Sequence, residues 1–296
     1  MKINKILWAT DGSKVSHDAF NWARLFAKTF GAEITGIHVL KPIEKKIYEI
    51  AGRKLDVKSL MEKESADWSN QFDEIYRVLK KEKLRFKHSV MEHYKPYEKI
   101  IQVADQENAS LIVMGKRGLG LKDKTSVGSN TLRVLQGSRV PVLAVKGKTT
   151  KILPKIKKIL VPLDISEKFS TALDYALSLG EHLGAAVTVI YVEQLVSYPY
   201  EFPITILNEM RDMYDNQLKK RVEEISRQFE NKLRIKHKVV EAITPFLGII
   251  RFAEGEKSDL IVMNTHGRKG LKKLFLGSVA EKVIYESPCS ILALRP

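Results

Sequence analysis

The sequence is poor in the residues that mark secreted, metal-binding or membrane-spanning proteins. Its 296 residues include one cysteine, Cys289, which excludes an intramolecular disulfide, and no Cys/His cluster has the spacing of a zinc site. No apolar stretch approaches the roughly 18 residues that a membrane helix requires, so we expect no membrane partner. The early apolar run ILWA is too short for the core of a signal peptide. These absences predict a cytoplasmic protein.

Several signatures of nucleotide-binding loops and hydrolases are also absent. The sequence has no G-x4-G-K-[ST], which excludes a P-loop, and GLGLKD follows the wrong strand for a Rossmann dinucleotide fingerprint. It has no G-x-S-x-G nucleophile elbow and no H-E-x-x-H zinc motif. We therefore name no catalytic residue and no metal ligand.

Basic residues are in excess. Lys and Arg number 50 against 35 Asp and Glu, which gives a formal net charge of +15 at pH 7. Such an excess favours anionic partners, although charges dispersed along a chain more often form a solvated exterior. Nucleic acid therefore stays open as a weaker alternative partner.

The chain repeats itself after a lysine-rich linker. INKILWATDGS, residues 3–13, corresponds to IKKILVPLDIS, residues 156–166, and SLIVMGKRG, residues 110–118, corresponds to DLIVMNTHG, residues 259–267. The offset is 153 residues at the first match and 149 at the second, so only the region around the second helix changes length. A period this long indicates the duplication of a whole domain.

We expect the two domains to span residues 1–147 and 155–296. In each, short apolar runs alternate with longer amphipathic ones, which predicts an α/β fold with a parallel sheet covered on both faces. Such sheets bind ligands at the carboxyl ends of the strands, where the strand order reverses. In the first domain the predicted strands are Lys5–Thr10, Glu33–Val39, Arg85–Met91, Ser110–Gly115 and Val140–Val145, and the predicted helices are Val15–Phe30, Leu60–Lys83, Pro96–Gln106 and Ser126–Gln136.

A glycine pattern, G-x2-G-x9-G-S, follows the fourth strand of both domains. We expect its first two glycines to let the backbone leave the strand through an unusual φ and approach a ligand. The third begins a helix whose free N–H groups and dipole suit a phosphate. A turn glycine and a serine cap would explain one copy, but the repetition favours a site. The members are Gly115, Gly118, Gly128 and Ser129 and, with Asn264 in place of the first glycine, Gly267, Gly277 and Ser278.

Charged residues near the glycines are candidates for the same ligand. Asp11 lies in an Asp-x-Ser pattern at the end of the first strand, and Ser13 is an equally good helix cap. The carboxylate could therefore accept a hydrogen bond from a hydroxyl or an amine of the ligand. Lys116 and Arg117, and His266 in the second domain, could reach phosphates, and a merely solvated role stays open for each.

Two features distinguish the second domain. Asn tolerates the left-handed region, so we expect the loop at Asn264 to keep its shape, with a site that binds the shared ligand more weakly than the first or prefers a ligand with fewer phosphates. The aromatic stretch SYPYEFP, Ser197–Pro203, predicts a packed loop, with a ligand cover or an interface as the alternatives.

The stretch LIVMNTHGRKGLKKLFLGSVAEKVIYESPCSILAL resembles the C-terminal half of a universal stress protein domain, and the whole chain resembles a tandem universal stress protein. The resemblance implies a five-stranded Rossmann-like sheet that binds ATP or AMP, and Mg²⁺ can accompany ATP. It also implies an intrachain pseudo-dimer paired through the last strands, and it allows a homodimer. The family's adenosine contacts correspond to Thr10, Asp11 and Val39 and to Leu163, Asp164 and Val192.

The function implied by the resemblance is a stress response in which the protein senses adenine nucleotide by binding it. One alternative is a slow ATPase or autokinase, for which the sequence shows no positioned base. The other is a basic nucleic-acid-binding protein, which a salt titration would reveal.

Overall fold

The computed structural model describes eight stretches of the chain: residues 2–42, 56–118, 127–147, 153–164, 171–194, 204–227, 233–265 and 276–295. Four features predicted from the sequence lie outside these stretches: the helix start at Ser126, the Ser197–Pro203 loop, His266 and Gly267. The chain divides into two compact units.

The first unit alternates strands and helices along the chain. Its strands are β1 (Lys5–Thr10), β2 (Glu33–Leu40), β3 (Phe86–Glu92), β4 (Leu111–Gly115) and β5 (Val142–Val145), and its helices are α1 (Lys14–Phe30), α2 (Val57–Lys81), α3 (Pro96–Gln106) and α4 (Ser129–Gly137). The strands are parallel, in the order β3-β2-β1-β4-β5. The order reverses at β1, which is flanked by β2 and β4.

The second unit has the same organisation. Its strands are β6 (Lys158–Pro162), β7 (Ala186–Gln194), β8 (Ile235–Ala242), β9 (Leu260–Asn264) and β10 (Ser290–Leu294), and its helices are α5 (Thr171–Leu183), α6 (Ile204–Ser226), α7 (Pro245–Gly255) and α8 (Ser278–Glu286). The parallel order β8-β7-β6-β9-β10 reverses at β6. The predicted duplication of a five-stranded parallel α/β fold is confirmed.

Apolar strands form the core of each unit. Every residue of β4, β5 and β10 is buried. Burial without alternation is the pattern of parallel strands that helices cover on both faces.

Local signals set the helix boundaries. The α1 helix begins after Ser13, whose hydroxyl accepts a hydrogen bond from the backbone of Ser16, and it ends at Gly31, which has a φ of 68°. The α2 helix begins at Val57 instead of the predicted Leu60 because Asp56 caps it. It ends at Lys81, before the predicted end.

The start of α4 also differs from the prediction. Gly128 is extended, with φ −61° and ψ 137°, and its N–H donates to the carbonyl of Lys116 at 2.9 Å. The helix therefore begins at Ser129, after Val127 and Gly128, which are not helical, and the predicted start at Ser126 lies outside the described stretches.

Candidate functional site

The carboxyl ends of β1 and β4 lie side by side where the strand order reverses. Ala9 pairs with Met114, so Thr10 and Gly115 end two neighbouring strands. The structure therefore brings together the residues predicted from the sequence after each of these strands. This edge of the sheet is the expected position for a ligand in an open parallel α/β fold.

Thr10 organises the turn between β1 and α1. Its hydroxyl is buried, lies 2.9 Å from the hydroxyl of Ser16 and accepts a hydrogen bond from the N–H of Gly12 at 3.2 Å. Ser13 accepts from the backbone N–H of Ser16 at 3.1 Å and so caps the helix. Because Ser13 is the cap, the carboxylate of Asp11 is not needed to begin α1.

The Asp11 carboxylate lies between this turn and the glycine loop. Its Oδ1 accepts from the N–H of Ser13 at 3.0 Å, while a Cβ placed on Gly118 would stand 2.3 Å from Oδ2. A side chain on Gly118 would therefore occupy the space of the carboxylate. Gly118 does not have a positive φ. The expectation of an unusual φ is wrong here, and the glycine serves close approach instead.

The surrounding atoms also leave no space for a side chain at Gly115. A Cβ at this position would stand 3.0 Å from the carbonyl oxygen of Arg117, 3.1 Å from Cγ1 of Val15 and 3.2 Å from the backbone nitrogen of Ser16. Its φ is also not positive. The loop after β4 thus turns back tightly against the first turn of α1, and only a residue without a side chain fits.

Two hydrogen bonds attach this loop to the beginning of α4. The N–H of Gly128 donates to the carbonyl of Lys116 at 2.9 Å, and the hydroxyl of Thr131 donates to the carbonyl of Gly115 at 2.8 Å. A Cβ on Gly128 would have only ordinary contacts, with its nearest neighbour 3.5 Å away. The fold therefore has room for a small side chain at Gly128, although not at Gly115.

The N-terminus of α4 is open to an anion. Gly128 is its N-cap residue, no side chain of the described residues caps it, and its first turn contains no acidic residue. The first N–H groups of a helix lack intrahelical partners and carry the positive end of the dipole. Ser129, at the first position, is exposed. This geometry suits a phosphate.

The two basic residues of the loop differ in exposure. Lys116 is buried, and its N–H donates to the carbonyl of Val145 at 2.8 Å, whereas Arg117 is half-buried. The backbone of Lys116 is thus fixed between β5 and Gly128. Arg117 has the more accessible side chain at this edge of the sheet.

The second unit repeats the same backbone contacts. The N–H of Thr265 donates to the carbonyl of Leu294 at 2.7 Å, and the N–H of Gly277 donates to the carbonyl of Thr265 at 2.8 Å. Gly277 precedes Ser278, the exposed first residue of α8, whose N-terminus has no side-chain cap among the described residues. Both units therefore present the same arrangement of loop and helix.

Asn264 does not need the left-handed conformation that asparagine tolerates. It is the last residue of β9 and is not among the positive-φ residues of the described stretches. Its Oδ1 instead accepts a hydrogen bond from the hydroxyl of Thr171 at 2.8 Å. The asparagine therefore extends the strand and contacts α5.

The other predicted adenosine contacts lie at strand ends. Val39 is half-buried on β2, and Val192 is buried on β7. Leu163 is buried and donates its N–H to the carbonyl of Ile190 at 2.8 Å, and half-buried Asp164 follows it. These positions border the same edges of the sheets as the glycine loops.

Sequence reasoning missed His38, which lies beside Thr10 across the sheet. Its Nδ1 is 2.8 Å from the carbonyl oxygen of Thr10, and because a carbonyl only accepts, Nδ1 carries the proton. Burial lowers the pKa of His38 below its ordinary value of 6.5, against the opposing effects of the Thr10 carbonyl, Glu64 and Asp11. A histidine within the apolar end of the strand, IHVL, was the available signal.

Metal-binding and membrane features are not found in the described stretches. They contain no group of three or more His, Cys, Asp or Glu residues that could hold a metal ion. None of their helices is both long and apolar enough to cross a bilayer.

The duplicated five-stranded sheet, with a glycine loop at each reversal of strand order, defines a tandem Rossmann-like α/β protein. The model of the universal stress protein family matches residues 2–146 and 155–295. The chain belongs to this family and carries two of its domains in tandem.

Similar proteins share one or both domains. The universal stress protein MJ0531 of Methanocaldococcus jannaschii is 32% identical over 142 residues, which are 47% of this chain and 82% of that protein. A universal stress protein of Mycolicibacterium smegmatis is 23% identical over 296 residues, 98% of this chain and 97% of that protein. The crystal structure of a universal stress protein from Archaeoglobus fulgidus shows the same fold, with a TM-score of 0.69, 21% identity, and coverage of 100% of this chain and 99% of that chain.

Proposed function

We propose that the protein binds an adenine nucleotide, ATP or AMP, in each domain and that occupancy alters its affinity for a partner during a stress response. A ligand that prefers one conformation shifts the population toward it, which is sufficient for sensing without catalysis. Membership of the universal stress protein family supports the stress-response role. The proposal includes a cytoplasmic location and Mg²⁺ as a companion of ATP.

The observation that carries the proposal is the glycine loop attached to an uncapped helix. In both units the residue before the helix, Gly128 or Gly277, donates its N–H into the loop, at Lys116 or Thr265. The following N–H groups of the helix are left for an anion. The repetition of this arrangement in two sequences that differ elsewhere supports a shared ligand.

We assign Asp11 and the N-terminus of α4 to opposite ends of the bound nucleotide. Phosphates lie at the N-terminus of α4, where Ser129 adds a hydroxyl donor. Oδ2 of Asp11 faces Gly118. A carboxylate oxygen in this position accepts a hydrogen bond from a ribose hydroxyl or from the adenine amine. The absence of a Cβ at Gly118 lets the backbone of the loop lie against this carboxylate.

The first test is the identity of the ligand. Freshly purified protein is denatured, and the released nucleotide is identified by mass spectrometry. We expect ATP or AMP. Incubation with ATP then separates sensing from turnover, because a slow ATPase or autokinase would release ADP or become phosphorylated.

The second test is the substitution Gly128→Asp. The new carboxylate would stand at the helix N-terminus and repel phosphate, so we expect ATP affinity at the first site to fall at least tenfold. Asp is also a favourable N-cap residue, so the fold should not suffer. Loss of binding in calorimetry would therefore not be a consequence of unfolding.

A matched control is available at Gly255. It ends α7, and a Cβ placed there would meet nothing within 4 Å. Gly255→Asp introduces the same charge away from both loops and should leave ATP binding unchanged. Wild-type affinity in Gly128→Asp would show that the first site is not at α4.

A further inference from the structure

Trp68 of α2 covers the carboxyl ends of two strands in the first unit. Its ring stacks on that of His38, with centroids 3.7 Å apart and planes inclined by 14°. A Cβ placed on Gly12 would stand 3.0 Å from Cη2 and 3.2 Å from Cζ2 of the indole. The indole therefore lies above the end of β2 and against the turn that follows β1.

The docking of α2 explains this position. Phe72, one helical turn after Trp68, is fully buried, and its Cε1 lies 2.9 Å from the point where a Cβ on Gly36 would stand. Gly36 and His38 are two residues apart and share a face of β2. The helix thus runs antiparallel to the strand, and the fit of Phe72 onto Gly36 brings Trp68 to the carboxyl end.

His38 gives the indole a fixed, flat support. Its Nδ1–H donates to the carbonyl of Thr10 at 2.8 Å, which sets the orientation of the ring between β2 and β1. Trp68 is itself half-buried, and its ring contacts with described residues are those with His38 and Phe72. One face of the indole is covered by the imidazole, and the side chain keeps an exposed part.

The neighbours of this stack in the chain are the candidate adenosine contacts. Gly12, at the edge of the indole, directly follows Asp11, and His38, beneath the indole, directly precedes Val39. A base that contacts Asp11 and the backbone of Val39 would lie next to the indole. An aromatic ring beside a purine stacks on it, because every base presents a π-face.

We propose that Trp68 is the base-stacking residue of the first nucleotide site, with adenine lying on the face of the indole opposite His38. This inference rests on the proposed function and assigns a residue outside the glycine pattern to the recognition of the base. His38 acts as a positioning residue, since it holds the indole and does not contact the ligand.

Among its described residues, the second unit does not repeat this stack. Tyr191 occupies the position on β7 that His38 occupies on β2, 153 residues earlier. It pairs with Tyr214 of α6 at a centroid distance of 5.2 Å and an interplanar angle of 49°. This tilted pair is not a flat stack, so we assign the stacking contribution to the first site.

The test compares ATP with tripolyphosphate, a probe without a base, by calorimetry in a Gly277→Asp background that confines binding to the first site. We expect Trp68→Leu to weaken ATP binding roughly tenfold, the order of effect that loss of one stacking ring has on a bound base. Tripolyphosphate affinity should not change. Trp68→Phe keeps an aromatic face and should stay within about threefold of wild type for ATP.

A control variant removes a ring from the same helix. Tyr76 of α2 is 42% exposed, and its ring contact is with Lys80. Tyr76→Leu should leave ATP affinity unchanged. Thermal unfolding of each variant tests its fold, and the quenching of Trp68 fluorescence by ATP keeps the proposal testable if Trp68→Leu unfolds.

Intrinsic fluorescence gives a second readout at the same residue. The chain has three tryptophans, and Trp8 and Trp22 are buried at 1% and 8% exposure. ATP should therefore quench mainly Trp68, and the quenching should disappear in Trp68→Phe.

Three results would overturn the inference in distinguishable ways. Equal ATP affinity in wild type and Trp68→Leu would show that the indole does not contact the base, and the proposed function would stand. Tighter ATP binding by Trp68→Leu would show that the indole occludes the base. Absence of ATP binding by the wild-type protein would overturn the proposed function and this inference together.

Discussion

Asn264 accepts a hydrogen bond of 2.8 Å from the hydroxyl of Thr171, the first residue of α5. The corresponding residue of the first unit, Gly115, has no side chain and packs its backbone against Val15 and Ser16 of α1. The end of the fourth strand is therefore joined to the first helix by a side chain in one unit and by backbone packing in the other. This difference leads us to expect unequal nucleotide sites.

Restoring glycine should tighten ATP binding while it weakens the fold. Asn264→Gly removes bulk and hydrogen-bonding groups from the strand end where phosphates or ribose would lie, so affinity at the second site should rise. The same change loses a hydrogen bond, at about 1 kcal/mol, and places glycine in a strand, at about 0.5–1 kcal/mol. Calorimetry and denaturant unfolding would measure the two effects, which have opposite signs.

Thr171→Val is the matched control for this prediction. It removes the same hydrogen bond and keeps the asparagine side chain at the strand end. Stability should fall, and ATP affinity should not rise. If the second site of the wild type already equals the first, and Asn264→Gly changes nothing, the asparagine is a harmless substitution.

Gly118→Ala should reduce nucleotide affinity more than stability. The new methyl group would stand 2.3 Å from Oδ2 of Asp11, so the carboxylate has to rotate away and release the N–H of Ser13. Because a short side chain can move, the loss in the free energy of unfolding should be about that of one hydrogen bond, about 1 kcal/mol. ATP affinity should fall as if Asp11 were removed.

A double-mutant cycle tests whether Gly118→Ala lowers ATP affinity by displacing the Asp11 carboxylate. In an Asp11→Ala background, Gly118→Ala should have little further effect on ATP affinity, since both changes displace the same carboxylate. Gly255→Ala, at a position with nothing within 4 Å, controls for the added methyl group. Additive losses in the cycle would mean that Gly118 contacts the ligand independently of Asp11.

The sequence was sufficient for the repeat, the parallel sheet and the location of the glycine loops. Strand β1 and helix α3 have the predicted boundaries, because apolar periodicity and Pro96 define them locally. The repeated glycine pattern indicated that side chains are excluded at Gly115 and Gly118. It could not show whether the cause was φ or space, since that depends on how closely α1 and Asp11 approach.

The stack of Trp68 on His38 could not be predicted in the same way. The two residues are thirty positions apart, and their contact depends on α2 docking through Phe72 onto Gly36. In the sequence Trp68 was one apolar position of an amphipathic helix. Only the packing of helix on strand shows that its ring reaches the candidate site.

The position of His38 also makes stability depend on pH. Burial is the main cause that lowers the pKa of His38 below 6.5, although the Thr10 carbonyl and the charges of Glu64 and Asp11 oppose it. The unfolded chain therefore takes up a proton at this residue at a pH where the folded protein does not. The contribution of His38 to the free energy of unfolding is fully present above pH 6.5. It declines as the pH falls below that value toward the lowered pKa of the folded protein.

His38→Gln should remove this part of the pH dependence. Glutamine keeps a donor for the Thr10 carbonyl but does not titrate. The free energy of unfolding of the wild type should fall between pH 7 and pH 5 more steeply than that of the variant, as measured by urea unfolding across this range. His17→Gln, at an exposed histidine of α1, controls for the exchange of an imidazole for an amide side chain. Parallel curves for the wild type and His38→Gln would mean that His38 does not resist protonation in the folded protein.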